Sequence, residues 1–240
     1  MHKTLIATLC LASLFARRNP AQTHPHFNSA ATNSTPCATS LATCPASGCG
    51  GGDKLLDTKK NILTAPSSDY QVMSFDDFRH LESERPTTWK SGQSRQEVVE
   101  MGEGNAVMLM GYLLGAHSGS PETCNCKLSG EPNNDYHLNI VQNDTDPQTA
   151  SVVVEMTPKT RPGKPNWTLP GLASLPAAAG RTHALVRVAG YLLFDSEHVT
   201  GNGGERITIW EIHPITRVEV CASGACQSDT DDGWKDITAQ

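Results

Sequence analysis

Aromatic residues make up only 5% of the 240-residue chain, and its 19 Lys and Arg are outnumbered by 25 Asp and Glu. A groove for single-stranded nucleic acid interleaves cations with stacking rings, and this composition does not furnish one. The formal net charge of −6 removes the global positive field that gathers phosphate backbones, so non-specific nucleic-acid binding is disfavoured. Also missing are a Gly-rich phosphate loop, a Ser nucleophile elbow and a paired Cys and His nucleophile context. Beyond the N-terminus no apolar run is long enough to span a bilayer, so no integral membrane segment is expected once a signal is removed.

The one extended apolar run, Leu5 to Ala16, follows Lys3 and has the length of a signal-peptide core. It predicts a signal peptide over residues 1–21 and a secreted or periplasmic destination; a buried N-terminal helix is the alternative. Of the eight cysteines, Cys10 leaves with the signal, and the remaining seven predict one unpaired or intermolecular thiol. They form three clusters: Cys37, Cys44 and Cys49; Cys124 and Cys126; Cys221 and Cys226. In an oxidising compartment these read as disulfide staples on long loops. Zinc is the competing reading, although Cys124-Asn-Cys126 lacks the two-residue gap of common zinc knuckles.

Residues 22–52 are rich in Ala, Ser, Thr, Pro and Gly and nearly devoid of large apolar side chains, the composition of a flexible linker. Residues 53–103 read as a short helical extension packing on the domain that follows. One helix begins at Asp53, and a second runs from Ser74 to about Glu84, with Ser as cap and Pro86 as stop. From residue 104 to 226 the pattern is mainly β, with strands over 105–117, 135–142, 151–157, 183–195 and 206–221 and a short helix over 169–175. Gly111 and Gly115 allow the first strand to bend, and Pro214 kinks the fifth. Three strands, a helix and two strands is the order of a five-stranded OB-like barrel. The helix between the third and fourth strands argues against a β-sandwich. Residues 227–240 read as a flexible tail.

In an OB barrel the second, third and fifth strands are neighbours. Asp135 and His137 on the second, and Glu211 and His213 on the fifth, are each spaced by two, which puts acid and imidazole on one face. Glu155 interrupts an apolar run on the third strand between them. Asp135, His137, Glu155, Glu211 and His213 are therefore the candidate ligand-binding set. Two imidazoles with a carboxylate suffice for a divalent metal such as zinc, with His137, His213, Glu211 and Glu155 as candidate ligands. Asp195 and His198, in the loop after the fourth strand, are the candidates for handling protons in catalysis. The bland alternative is a solvated polar face. Trp210 alternates with Glu211 and belongs to the core. Lys159, Arg161 and Lys164 form the one local basic cluster, either a phosphate-facing lip or a solvated loop. His80, His117 and His183 stand alone and receive no role.

Asp-Tyr-His-Leu at Asp135, Phe-Asp-Ser-Glu-His at Phe194 and Trp-Glu-Ile-His-Pro at Trp210 resemble motifs of a group of uncharacterised exported bacterial proteins with an OB-like domain. The resemblance covers roughly residues 104–221, and the Cys-Gly-Gly-Gly-Asp stretch at Cys49 is similar to the lead-in of some members. It implies that His137, Glu155, Asp195, His198, Glu211 and His213 share one site, and it implies no reaction. Three functions follow as expectations: an exported binding module of unknown ligand, a metal-dependent hydrolase of phosphodiesterase or nuclease type, and a structural envelope protein.

Overall fold

The computed structural model describes residues 35–66, 69–200 and 206–239. The expected signal peptide and residues 22–34 of the expected linker lie outside them. Five strands close a barrel: β2 (Ala106–Ser118), β3 (Tyr136–Val141), β4 (Val152–Met156), β6 (Trp210–Cys221) and β5 (Leu185–Phe194), with β5 pairing back to β2. This is the OB order expected from the pattern, including the parallel pairing of β4 with β6 at Val154 and Ile212. The helix α4 (Leu169–Ala173) sits between β4 and β5.

Alternation explains why these segments close. Tyr136, Leu138 and Ile140 from β3, Val152, Val154 and Met156 from β4, and Trp210 and Ile212 from β6 all enter one apolar core. Their intervening neighbours point outward. At Gly111 a Cβ would lie 2.6 Å from Ile140 Cγ2 and from the Val141 carbonyl, so only glycine lets β2 and β3 approach there. The bend then comes at a register shift between Leu113 and Gly115.

The extension before the barrel packs on it. Here β1 (Gln71–Met73) pairs parallel with β2, while α2 (Phe75–Glu84) and α3 (Gln96–Glu100) contribute Phe75, Phe78 and Val98 to the core. Ser74 caps α2 with a reciprocal bond to Asp77. Arg95 forms a buried two-pronged pair with Glu103 and also donates to the Phe194 carbonyl at 2.6 Å, which anchors the chain just before Asp195.

Three expectations are corrected. Residues 35–52 are not a free tether: disulfides join Cys37 to Cys49 and Cys44 to Cys126, fastening this segment and helix α1 (Lys54–Lys60) to the loop after β2. Composition argued for disorder because there is little apolar surface, and covalent staples remove that requirement. Residues 227–240 are not simply a tail, since β7 (Trp234–Asp236) pairs with β6 and buries Trp234 and Ile237. Cys221 pairs with Cys226, while Cys124, a disulfide candidate, is the free and buried cysteine among the described residues.

Candidate functional site

Glu155, Glu211 and His213 are among the outward side chains of β3, β4 and β6, yet they are 3%, 0% and 0% exposed, and Asp135, beside β3, is 0%. Something must roof them. The roof is α1 together with the loop over 119–128. Asp53 caps α1 by accepting from Leu55 and Leu56 N–H groups, and the next turns carry Leu56, Asp57 and Lys60 on the buried face. Lys60 Nζ reaches Glu122 Oε2 at 2.7 Å, and Thr123 Oγ1 donates to Asp57 Oδ1 at 2.8 Å. The disulfide from Cys44 to Cys126 and the Cys49 N–H bond to the Thr123 carbonyl at 3.0 Å hold the same loop from above.

Strand pairing sets the register beneath. His117, His137 and Glu155 stand directly opposite one another across β2, β3 and β4. His137 Nε2 lies 3.4 Å from Glu155 Oε1 and 3.8 Å from Glu122 Oε1. The other Glu155 oxygen, Oε2, is 2.9 Å from His213 Nδ1, which is also 3.3 Å from Glu211 Oε1. One carboxylate thus faces both imidazoles. Arg206 continues the chain, donating to Glu211 at 3.1 Å and to Asp195 at 2.7 Å, and Asp195 Oδ2 meets His198 Nδ1 at 2.5 Å. The sequence-expected residues His137, Glu155, His213, Glu211, Asp195 and His198 therefore join one continuous network, and Asp135 lies within 4.8 Å of the donor atoms of Glu155 and His213.

They do not form one ligand shell. Donor atoms within 4.8 Å of one another group as Glu122, His137 and Glu155; as Asp135, Glu155 and His213; and as Glu122, Cys124 and Asp135. His137 and His213 fall on opposite oxygens of Glu155, and Glu211 stands behind His213 on Arg206. His198, 55% exposed at its side chain, and Asp195 form a dyad at the rim rather than a part of either histidine group.

Electrostatics follow from this crowding. Burial opposes a charge on His137, but Glu155 and Glu122 outweigh it and raise its pKa to about 9. His213 is likewise raised to about 10, burial being overcome by Glu155 and Glu211. Against the penalty of burial, the imidazoles and Lys60 hold Glu155 well below the carboxylate range. Burial and nearby carboxylates push Asp135 up to about 6 and also raise Glu211. Glu122, buried but paired with Lys60, falls to about 2.

Two features fit a cation. His137 Nε2, Asp135 Oδ1, Asn125 Oδ1 and His213 Nε2 are buried without a hydrogen-bond partner. Gly119 leaves room at the first of these, since a Cβ there would stand 2.8 Å from His137 Nε2. Ligands about 2.0–2.1 Å from a tetrahedral ion stand roughly 3.3 Å apart, close to the 3.4 Å between His137 Nε2 and Glu155 Oε1. Nitrogen with carboxylate oxygen is a donor set that zinc accepts.

Sequence reasoning missed Glu122, Lys60, Gly119, Asn125 and Arg206. The only signal for Glu122 was its place two residues before Cys124 in a cysteine-bearing loop. His117, given no role, packs edge-on against His137 with ring centroids 5.3 Å apart. Each member of the basic cluster has a partner within the fold: Lys159 Nζ bonds Asn61 Oδ1 at 2.8 Å, Arg161 stacks over Tyr136, and Lys164 lies over the Trp167 ring. Among the described residues no helix is long and apolar enough to cross a membrane. In comparisons with known proteins, no family model, no curated protein and no solved structure matches this chain.

Proposed function

We propose that this is an exported binding module that holds a divalent cation, with zinc the best fit, on the outer face of its barrel. The rim position uses Glu122, His137 and Glu155, beneath the disulfide-fastened roof. The single observation that carries the reading is the convergence of His137 Nε2, a buried nitrogen without a hydrogen-bond partner, on two carboxylates at 3.4 Å and 3.8 Å. His213 Nδ1 stands 2.9 Å from the far oxygen of Glu155, on the inner side of that carboxylate. Export is supported by the N-terminal apolar run and by three disulfides, which persist in oxidising compartments.

Binding is favoured over hydrolysis because the acids that would activate water are occupied. Asp195 is shared by His198 and Arg206, and Glu211 by Arg206 and His213.

Isothermal titration of the chelator-stripped full chain with Zn2+ tests the reading. Glu122→Gln and His137→Gln should each weaken zinc at least about 100-fold, because even outer partners of a ligand are worth about 10- to 100-fold. Zinc affinity that is absent in the native protein, or unchanged in both folded variants, would refute it.

A further inference from the structure

The rim group uses only one side of Glu155. Its other oxygen faces His213, and Asp135 belongs to the same donor group; no solvent reaches either residue. We propose that Asp135, Glu155 and His213 form a second cation position, joined to the rim position through the Glu155 carboxylate, so that the domain carries a pair of divalent ions. The inference rests on the cation-binding reading in sharing Glu155. It separates from it because Asp135 and His213 belong to the inner group and not to the rim group.

Three observations meet there. Asp135, Glu155 and His213 place donor atoms within 4.8 Å of one another, each residue 3% exposed or less. Asp135 Oδ1 and His213 Nε2 are buried without hydrogen-bond partners, and so is Oδ1 of Asn125, whose amide holds the other Asp135 oxygen at 3.0 Å. A buried polar atom left unpaired costs about 1–3 kcal/mol, more for a charged group, so three such atoms on these neighbouring residues call for a partner.

Charge points the same way. The network contains five carboxylates, Glu122, Asp135, Glu155, Glu211 and Asp195, and two permanently cationic side chains, Lys60 and Arg206. With both imidazoles bound as neutral ligands, the remaining three negative charges exceed what one dication neutralises. A carboxylate offering one oxygen to each of two donor sets is also the usual bridge between ions about 3.5–4 Å apart.

The experiment loads the chelator-stripped full chain with Co2+ alone, a paramagnetic divalent ion that takes the nitrogen and carboxylate donors zinc takes, and reads elemental content beside the electron paramagnetic resonance spectrum. The native protein should retain two Co2+ per chain and show the altered spectrum of two coupled ions. Asp135→Asn and His213→Gln should each retain one ion and lose the coupling, and His137→Gln should keep the inner ion. One uncoupled ion per chain overturns the inference; if that ion disappears in His137→Gln and survives in Asp135→Asn, the rim site stands alone. No retained ion removes both readings. Should the inner variants fail to fold, the native count and coupling decide by themselves.

Discussion

Replacing Glu155 by Gln keeps the shape of the side chain and removes the charge that the buried His213 and the partly exposed His137 both face. With oxygens 2.9 Å and 3.4 Å from His213 and His137, the gross attractions at an effective dielectric near 20 are roughly 6 and 5 kcal/mol. Desolvation offsets much of this, and breaking a buried pair by removing one partner costs about 3–5 kcal/mol net. For a unit of this size each kcal/mol moves the midpoint by roughly 2–4 °C, so the chelator-treated variant should melt about 6–20 °C lower. The pH dependence supplies a second reading. His137 and His213 have pKa values raised to about 9 and about 10, above the unfolded value near 6.5. Their contribution to stability is therefore complete below pH 6.5 and is lost as pH rises through 9 and 10. Urea unfolding in chelator should show the native protein weakening over that window and Glu155→Gln weakening much less. A variant within about 1 kcal/mol of native, with an unchanged pH slope, would refute the proposed coupling.

Other outcomes follow from the same geometry. Because a metal must displace the protons held by the imidazoles, zinc affinity should rise with pH between about 7 and 9, measured by competition against a pH-insensitive chelator. Gly119→Ala, which places a methyl group 2.8 Å from His137 Nε2, should lower zinc affinity about tenfold or more while the circular dichroism spectrum stays native. Replacing Cys44 and Cys126 by Ser opens an 82-residue separation, worth up to about 4.5 kcal/mol by chain entropy, against about 2 kcal/mol for the five-residue separation of Cys221 and Cys226. Unfolding midpoints should rank the two double variants in that order. Trp234→Ala should cost roughly 3 kcal/mol, because this ring is buried beside the Arg187 guanidinium, and a tail with no structural part would show no change.

The barrel was legible because its strands alternate cleanly. Tyr136, Leu138 and Ile140 against His137 and Asn139 give a period of two that only a sheet with one apolar face satisfies. The adjacency of β3, β4 and β6 followed from strand order, and with it the meeting of His137, Glu155 and His213. What the pattern could not carry was the roof. Residues 35–52 hold no apolar periodicity because covalent bonds, not burial, fix them, and seven cysteines allow many pairings. Lys60, in a Lys-Lys-Asn sequence, has the signature of a solvated helix end; its burial against Glu122 is a property of the folded roof alone. Glu122 and Arg206 lie on connections, where no periodicity announces direction. The roof also changes the meaning of the outward face, from solvated surface to a closed polar layer.

The most direct measurement is anomalous diffraction at the zinc edge from crystals of the zinc-loaded full chain. The account predicts a peak about 2.0–2.2 Å from His137 Nε2, Glu122 Oε1 and Glu155 Oε1. Zinc-loaded crystals with no peak between β3, β4 and the Glu122 loop, or with zinc bound only at surface histidines, would contradict it.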